Sequence, residues 1–255
     1  MASNISTRMT TIVLSAIFIL LVFLFAVVFF IYPKCRKYYI THRQYEVYGG
    51  MTDHLKDCEL FRDMESGKSF CFLGDSITCG AAIDYIPWYQ PLIPYIQGSI
   101  SNVSCSGWTA GDLLNSKDQI PQAEVYVIAI GINDILFPYD GSAAPTAEVF
   151  TERLEQLSEM ICVISPDAKI YFISPWPFVD VDDWYHERGG QFRAAFTEWS
   201  KHTDCICLNP EPYITSVFSE NGSAEYMHNN FHPNAPEGVG LFSYAVLKAC
   251  HEQRA

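Results

Sequence analysis

The chain has 255 residues and a formal net charge of −13 at pH 7, and its charge is unevenly distributed. Residues 1–43 carry five basic residues and no acidic one, whereas the remainder carries 11 basic residues against 29 acidic ones. So acidic a region is a poor match for the phosphate backbone of nucleic acids, which excludes DNA or RNA as its main partner.

An uninterrupted apolar segment lies near the amino terminus. From Ile12 to Ile31 the sequence has no charge, proline or glycine, and about 20 such residues suffice for a helix to cross a bilayer. A secretory signal peptide is the alternative, but its apolar core is usually about 7–15 residues long and ends in a small-residue cleavage site. The sequence therefore predicts a short tail over residues 1–10 and a retained transmembrane anchor over residues 11–32.

The charges beside this segment predict its orientation. Lys34, Arg36, Lys37 and Arg43 follow the span, and Arg8 precedes it. The excess of basic residues after the span favours a cytoplasmic carboxyl-terminal domain. The same cluster is expected to be attracted to anionic lipid headgroups.

Residues 33–67 are predicted to be a juxtamembrane linker with one short helix, about 52–64, and residues 68–255 to be a single catalytic domain. Within that domain, apolar strands alternate with amphipathic helices. The strands are predicted at 69–74, 101–107, 123–131, 168–176 and 204–210, and the clearest helices at 145–165, 188–202 and 236–252. This alternation predicts an α/β fold whose five-stranded parallel sheet is covered on both faces.

Polar residues and glycines with catalytic potential follow these strands. Ser76 comes after the first strand, Gly107 after the second and Asn133 after the third, and His232 precedes the last helix. In parallel sheets, sites form beyond the carboxyl ends of the strands. A serine nucleophile needs a nearby base and N–H donors for its oxyanion, and these residues supply both. Taken alone, each has a plain structural explanation, such as a helix cap for Ser76.

Four sequence blocks together resemble the SGNH (GDSL-type) serine hydrolases. They are "FLGDSIT" (72–78), "NVSCSGWTAGDLL" (102–114), "GIND" (131–134) and "NNFHPN" (229–234). The resemblance covers residues 69–252. It implies a three-layer, flavodoxin-like α/β fold and hydrolysis of acyl esters without a metal or organic cofactor.

The resemblance also implies a role for each matching residue. Ser76 would be the nucleophile and His232 the general base. The Ser76 and Gly107 N–H groups and the Asn133 side chain would form the oxyanion hole. Cys79, one helical turn after Ser76, is a less favoured nucleophile.

One position departs from the pattern of the family, which usually has an acid three residues before the histidine. This chain has Asn229 there, and an amide can accept a hydrogen bond from imidazole but cannot balance the charge of imidazolium. Three outcomes stay open. A Ser–His dyad could work with another acceptor orienting the base, a carboxylate such as Glu225 or Glu237 could substitute, or the enzyme could be slow or inactive.

The expected substrate is a carbohydrate that carries a small ester-linked acyl group, with acetyl as the first choice. Trp176 and Trp184 lie in the loop 174–190 after the fourth strand, and Trp108 follows the oxyanion glycine, so these three side chains are predicted to line the site. A lipid or thioester hydrolase, an acyltransferase and a catalytically silent, membrane-tethered binding protein are the alternatives.

The nine cysteines show no spacing typical of a zinc site. Cys71, Cys162, Cys205 and Cys207 lie in apolar runs, which predicts buried, reduced thiols and weakly favours a reducing compartment.

Overall fold

The computed structural model describes residues 2–39, 55–136 and 144–253. The chain divides into two compact units, residues 1–42 and 43–255. The first unit contains helix α1 (Ala2–Ala26), which continues through a π-helical turn, Val27–Ile31, into helical residues up to Tyr39. Residues 12–39 are long and apolar enough to cross a membrane, with a mean hydropathy of 3.3 over the best window. A signal sequence has the same properties.

The second unit is built around one parallel sheet. Its strands are β1 (Phe70–Gly74), β2 (Ile100–Ser104), β3 (Val125–Ala129), β4 (Lys169–Ile173) and β5 (Ile206–Leu208). Their order in the sheet is β2-β1-β3-β4-β5, with every neighbouring pair parallel. This is the flavodoxin-like order, so the predicted fold class is confirmed.

Helices connect and cover the strands. They are α2 (Glu59–Glu65), α3 (Ser76–Cys79), α4 (Ala110–Asn115), α5 (Ile132–Ile135), α6 (Ala147–Ile164), α7 (Asp183–Trp199), α8 (Glu211–Asn221) and α9 (Glu237–Glu252). Helices α4, α6 and α7 pack in sequence against one another, while α9 contacts both α2 and α8. Right-handed crossovers in this strand order place these two groups on opposite faces of the sheet.

The central strands have continuous apolar sequences because both of their faces lie in the core. All five residues of β1 and all five of β3 are buried, because helices cover both faces of the central strands. Helix α6 turns one apolar face inward, made of Phe150, Leu154, Leu157 and Ile161 at helical spacing. The outer strand β2 is partly exposed and correspondingly more polar.

The predicted linker extends too far along the chain. Leu55, Leu60, Phe61 and Met64 are all buried in the core, so this part of residues 33–67 belongs to the folded unit. Helix α2 is amphipathic, and its apolar face has to pack against α9 to leave water. The helix begins at Glu59, later than predicted, and residues 52–54 lie outside the described part.

Gly74 is the last residue of β1, and it lies close to Ala129 at the end of β3 and to Thr78 in α3. A Cβ atom at this position would lie 2.3 Å from the carbonyl oxygen of Ala129 and 2.4 Å from Thr78 Oγ1. The close packing of β1 against β3 therefore depends on the absence of a side chain here.

Gly74→Ala is expected to destabilise the protein by about 1–3 kcal/mol, because the overpacked methyl group would force β1 away from β3. Gly190→Ala is the matched control, since a Cβ at this helical position meets nothing within 4 Å. Alanine should be neutral or slightly stabilising there. Chemical denaturation of both variants measures the difference, and equal stabilities would contradict the packing argument.

Candidate active site

Ser76 lies at a sharp turn between β1 and α3. Asp75 is the residue that caps this helix, because its carboxylate accepts a hydrogen bond from Ile77 N at 3.0 Å. Gly80 ends the helix after one turn with a φ of 71°, in the left-handed region that glycine adopts readily. The Ser76 hydroxyl is therefore not needed as the cap and is available for another contact.

That contact is His232. The distance between Ser76 Oγ and His232 Nε2 is 2.8 Å, although the two residues are 156 positions apart in the sequence. Ser76 is only 5% exposed and His232 is partly buried, so most bulk water is excluded from this pair. A hydroxyl and an imidazole at this distance can exchange a proton directly.

Asn229 contacts the other ring nitrogen of the histidine. Its Oδ1 lies 3.0 Å from His232 Nδ1 and also accepts hydrogen bonds from the backbone N–H groups of Phe231, at 3.0 Å, and His232, at 2.9 Å. An amide rotated by 180° would present its NH₂ group to two N–H donors. The backbone therefore fixes Oδ1 toward the imidazole, which makes Nδ1 the hydrogen-bond donor.

Of the three candidate acceptors, Asn229 is the one whose contact with His232 Nδ1 the structure shows. The one hydrogen on Nδ1 is used by Asn229, which leaves no hydrogen on this nitrogen for a carboxylate from Glu225 or Glu237. Desolvation lowers the pKa of His232 from its ordinary value, and the neighbouring His228 adds to the effect. A carboxylate partner would act in the opposite direction.

Backbone contacts hold the histidine loop in place. Met227 and Pro233 form an antiparallel bridge across its base, and the His228 N–H donates to the His232 carbonyl at 2.8 Å. The loop is joined to the chain after β4 by the Val179 N–H, which donates to the Asn230 carbonyl at 3.0 Å. The Val179 contact has no sequence signature, because it uses only backbone atoms.

Gly107 and Asn133 meet at the same edge of the sheet. Gly107 has a φ of 84° in the turn after β2, and a Cβ at this position would face open space. The Asn133 amide donates to the carbonyl of Trp108 at 2.9 Å, which joins α5 to this turn. The amide has a second N–H, so one hydrogen can orient the group while the other is available for a ligand.

Asp134 fixes the helix that carries Asn133. Its buried carboxylate accepts hydrogen bonds from Ala110 N at 2.9 Å and from Arg153 Nη1 at 3.1 Å. Arg188 donates to the carbonyls of Asp134 and Ile135 at 3.0 and 2.8 Å. Burial raises the pKa of Asp134 to about 6 despite these donors. This support has no sequence signature, because Ala110, Arg153 and Arg188 come from three distant segments.

Asp75 is a second buried carboxyl group beside the serine. Its Oδ2 has no hydrogen-bond partner among the described residues, and its side chain is completely buried. Desolvation, together with the charge of Asp134, raises its pKa to about 7. A protonated Asp75 places less negative charge next to Ser76 than an ionised one.

The three predicted lining tryptophans lie in different environments. Trp108 is partly exposed beside Gly107, and Trp184 is 44% exposed on α7, where its ring lies under Arg188. Trp176 is 1% exposed and packs between Trp88 and Phe242, so the prediction that it lines the site is wrong. Residues 174–178 stay buried after β4 ends, and the side chain of Trp176 lies in the core.

Cys79 is oriented away from a catalytic role. Its thiol donates to the Ser76 carbonyl at 3.5 Å, and burial raises its pKa. Among the described residues, no group of three or more His, Cys, Asp or Glu side chains is arranged to hold a metal ion.

The sequence model of the GDSL-like Lipase/Acylhydrolase family matches residues 72–236, which include every residue of this site. The chain belongs to the GDSL-like Lipase/Acylhydrolase family. Comparison with curated protein sequences found no relative.

Solved structures of GDSL-like and related hydrolases share the fold. A protein described as a GDSL-like lipase from Parabacteroides merdae is 18% identical with a TM-score of 0.64, over 73% of this chain and 97% of its own. Axe2, an acetylxylan esterase from Geobacillus stearothermophilus, is 19% identical with a TM-score of 0.57, over 74% and 96%. LAE5, an α/β hydrolase from the metagenome of Lake Arreo, is 17% identical with a TM-score of 0.59, over 72% and 95%.

Asp75→Asn tests the raised pKa of the buried carboxyl group. Because the folded state binds this proton more tightly than the unfolded chain, its contribution to stability is present below pH 3.8 and is lost as the pH rises to about 7. Asparagine keeps the oxygen that caps α3 and removes this dependence. The variant should gain roughly 5 °C in Tm, relative to the parent, on going from pH 5 to pH 8. Thermal unfolding at both pH values measures the difference, and parallel profiles would contradict it.

Proposed function

We propose that the chain is a membrane-anchored serine esterase that removes a small acyl group, by preference acetyl, from a carbohydrate. The observation that carries this proposal is the continuous hydrogen-bonded series from Ser76 Oγ through the His232 ring to Asn229 Oδ1, with distances of 2.8 and 3.0 Å. Family membership supports the reaction class, ester hydrolysis, and the residues of the site support the mechanism.

The first half of the reaction forms an acyl-enzyme. Ser76 Oγ attacks the ester carbonyl while His232 Nε2 takes its proton. The oxyanion that forms is stabilised by the N–H groups of Ser76 and Gly107 and by the second N–H of Asn133. His232 then protonates the leaving alcohol, and the acyl group remains on Ser76.

The second half restores the enzyme. Water enters the place of the alcohol, His232 takes its proton, and the same three donors stabilise the second oxyanion. If an acceptor alcohol entered instead, the same acyl-enzyme would carry out acyl transfer, so product analysis separates the two reactions.

Asn229 serves as the positioning residue of the series. In a Ser-His-Asp protease, replacing the aspartate by asparagine costs about four orders of magnitude, mainly because the imidazole adopts the wrong tautomer. Here the two backbone N–H groups that bind Oδ1 prevent the amide from donating to the ring. What is lost is the stabilisation of imidazolium by a negative charge, so the enzyme is expected to be active but slow.

The substrate proposal rests on features outside the catalytic series. Trp108 directly follows the oxyanion glycine, where a large ring limits the space for the acyl chain. The fold shared with an acetylxylan esterase supports an acetyl ester of a carbohydrate. The exposed ring of Trp184 offers a surface for a sugar.

The anchor proposal rests on the apolar helix and the basic residues after it. Its length exceeds the apolar core of a signal peptide, and the charges of Lys34, Arg36 and Lys37 favour a cytoplasmic esterase domain. The acidic remainder of the chain would then face the cytoplasm.

Fluorophosphonate labelling tests the nucleophile. The full chain should be labelled, and it should stay in the membrane pellet after a carbonate wash. Ser76→Ala and His232→Ala should each abolish labelling and lower the hydrolysis of p-nitrophenyl acetate by at least about 1,000-fold. Cys79→Ala is the matched control and should keep both.

Labelling of Ser76→Ala, or its loss in Cys79→Ala, would contradict the assignment of the nucleophile. Absence of labelling in the folded parent protein would favour a silent binding protein. Hydrolysis of C4–C8 esters well above acetate would favour a lipid hydrolase.

Asn229→Asp tests the positioning role. A carboxylate would stabilise imidazolium, so kcat/KM should rise roughly 10-fold. The acid limb of the pH profile should move upward, because the parent limb lies below the ordinary histidine pKa of 6.5 and an adjacent negative charge favours the protonated ring. Asn229→Ala should lower kcat/KM. Identical limbs in the parent and Asn229→Asp would show that this position does not contact the catalytic base.

A further inference from the structure

Two buried cysteines meet on the first turn of α2. Cys58 is the N-cap of this helix, and Cys250 lies in the last turn of α9. Cys58 Sγ accepts a hydrogen bond from Phe61 N and Cys250 Sγ accepts one from Leu60 N, both at 3.4 Å. Leu60 and Phe61 are consecutive, so the two sulfur atoms bind neighbouring N–H groups on the first turn of α2.

The two thiols also contact each other. The Cys58 thiol donates a hydrogen bond to Cys250, and this bond is the largest influence on the pKa of Cys250, which is lowered although burial opposes it. Burial has the reverse effect at two other cysteines, where it is the largest cause of a pKa raised to about 11 for Cys71 and to about 12 for Cys207. Cys250 is thus expected to ionise more readily than an ordinary cysteine.

A cavity of about 340 Å³ reaches Cys250 from the surface. Glu59, Ser200 and Gln253 contribute polar groups to its lining, so water and small polar molecules can enter it. The cavity lies beside the first residue of β5, at the amino end of the sheet. Ser76 follows the carboxyl end of β1, so the cysteine pair and the proposed catalytic site are at opposite edges.

We propose that Cys58 and Cys250 are a site of reversible oxidation, at which hydrogen peroxide converts the thiol pair into a disulfide that joins α2 to α9. In the first step the Cys250 thiolate bonds to one peroxide oxygen, the O–O bond breaks, and water leaves once the second oxygen is protonated. In the second step Cys58 Sγ bonds to Cys250 Sγ and the hydroxyl group leaves as water, taking up the Cys58 proton. Two thiols and one hydrogen peroxide thus give one disulfide and two waters.

The disulfide would close a loop that contains nearly the whole folded unit. It would link the first described helix after residue 54 to the last helix of the chain, and so restrict the unfolded state strongly. Hydrolysis at the opposite edge should be little affected. The predicted consequence is a change in stability with an unchanged rate.

The test uses the full chain in detergent with hydrogen peroxide as the oxidant. Free thiols are blocked with a light maleimide, disulfides are reduced, and the released thiols are labelled with a heavy maleimide before peptide mass spectrometry. Cys58 and Cys250 should become heavy together, and Tm should rise by about 10 °C. Dithiothreitol should reverse both effects, and ester hydrolysis should stay within about twofold.

Variants separate the two steps. Cys58→Ser should halt the reaction at Cys250 sulfenic acid, which dimedone traps, and Cys207→Ser, on the same cavity, should leave the 58–250 disulfide intact. If Cys58 and Cys250 remain light in the folded parent after oxidation, or if either pairs with another cysteine, the proposal is wrong. This readout needs no variant, so it holds even if Cys58→Ser does not fold.

Discussion

The site depends on one oxygen atom. Asn229 Oδ1 accepts from two backbone N–H groups and from the His232 ring, and this arrangement determines which ring nitrogen faces Ser76. A carboxylate is symmetric and orients a histidine in either rotation, whereas an amide does so in only one. The backbone of the histidine loop supplies the constraint that the amide lacks.

That constraint in turn rests on the sheet. Parallel strands bring the chain after β1, β2 and β3 to a common edge, and Gly74, two residues before Ser76, allows β1 to pack closely against Ala129 and Thr78. Two carboxyl groups beneath the site, Asp75 and Asp134, are buried there and have raised pKa values. The interior thus places polar groups where they orient the proposed catalytic residues, at a cost in stability that depends on pH.

The sequence was sufficient to predict the fold and the residues that meet at the edge, because apolar runs and strand-end motifs are local signals. Ser76, Gly107, Asn133 and His232 all follow from them. Trp176 was placed wrongly because a loop that stays buried has no periodicity to reveal it. The segment around α2 was assigned to a linker because a single amphipathic helix does not show what it packs against. The contacts of Val179 and Arg188 have backbone atoms as partners, which no residue pattern encodes. The prediction of a buried thiol was wrong for Cys162, which is exposed despite its apolar neighbours.

The tautomer of His232 is the property on which the proposed role of Asn229 depends. A ¹H–¹⁵N spectrum of the histidine side chains, taken above the pKa of the ring and compared with that of Asn229→Ala, reports which nitrogen of His232 carries the hydrogen. We expect a protonated Nδ1 and an unprotonated Nε2 in the parent protein, with the preference lost in the variant. A protonated Nε2 in the parent would mean that Asn229 does not orient the base, and the proposed mechanism would fail.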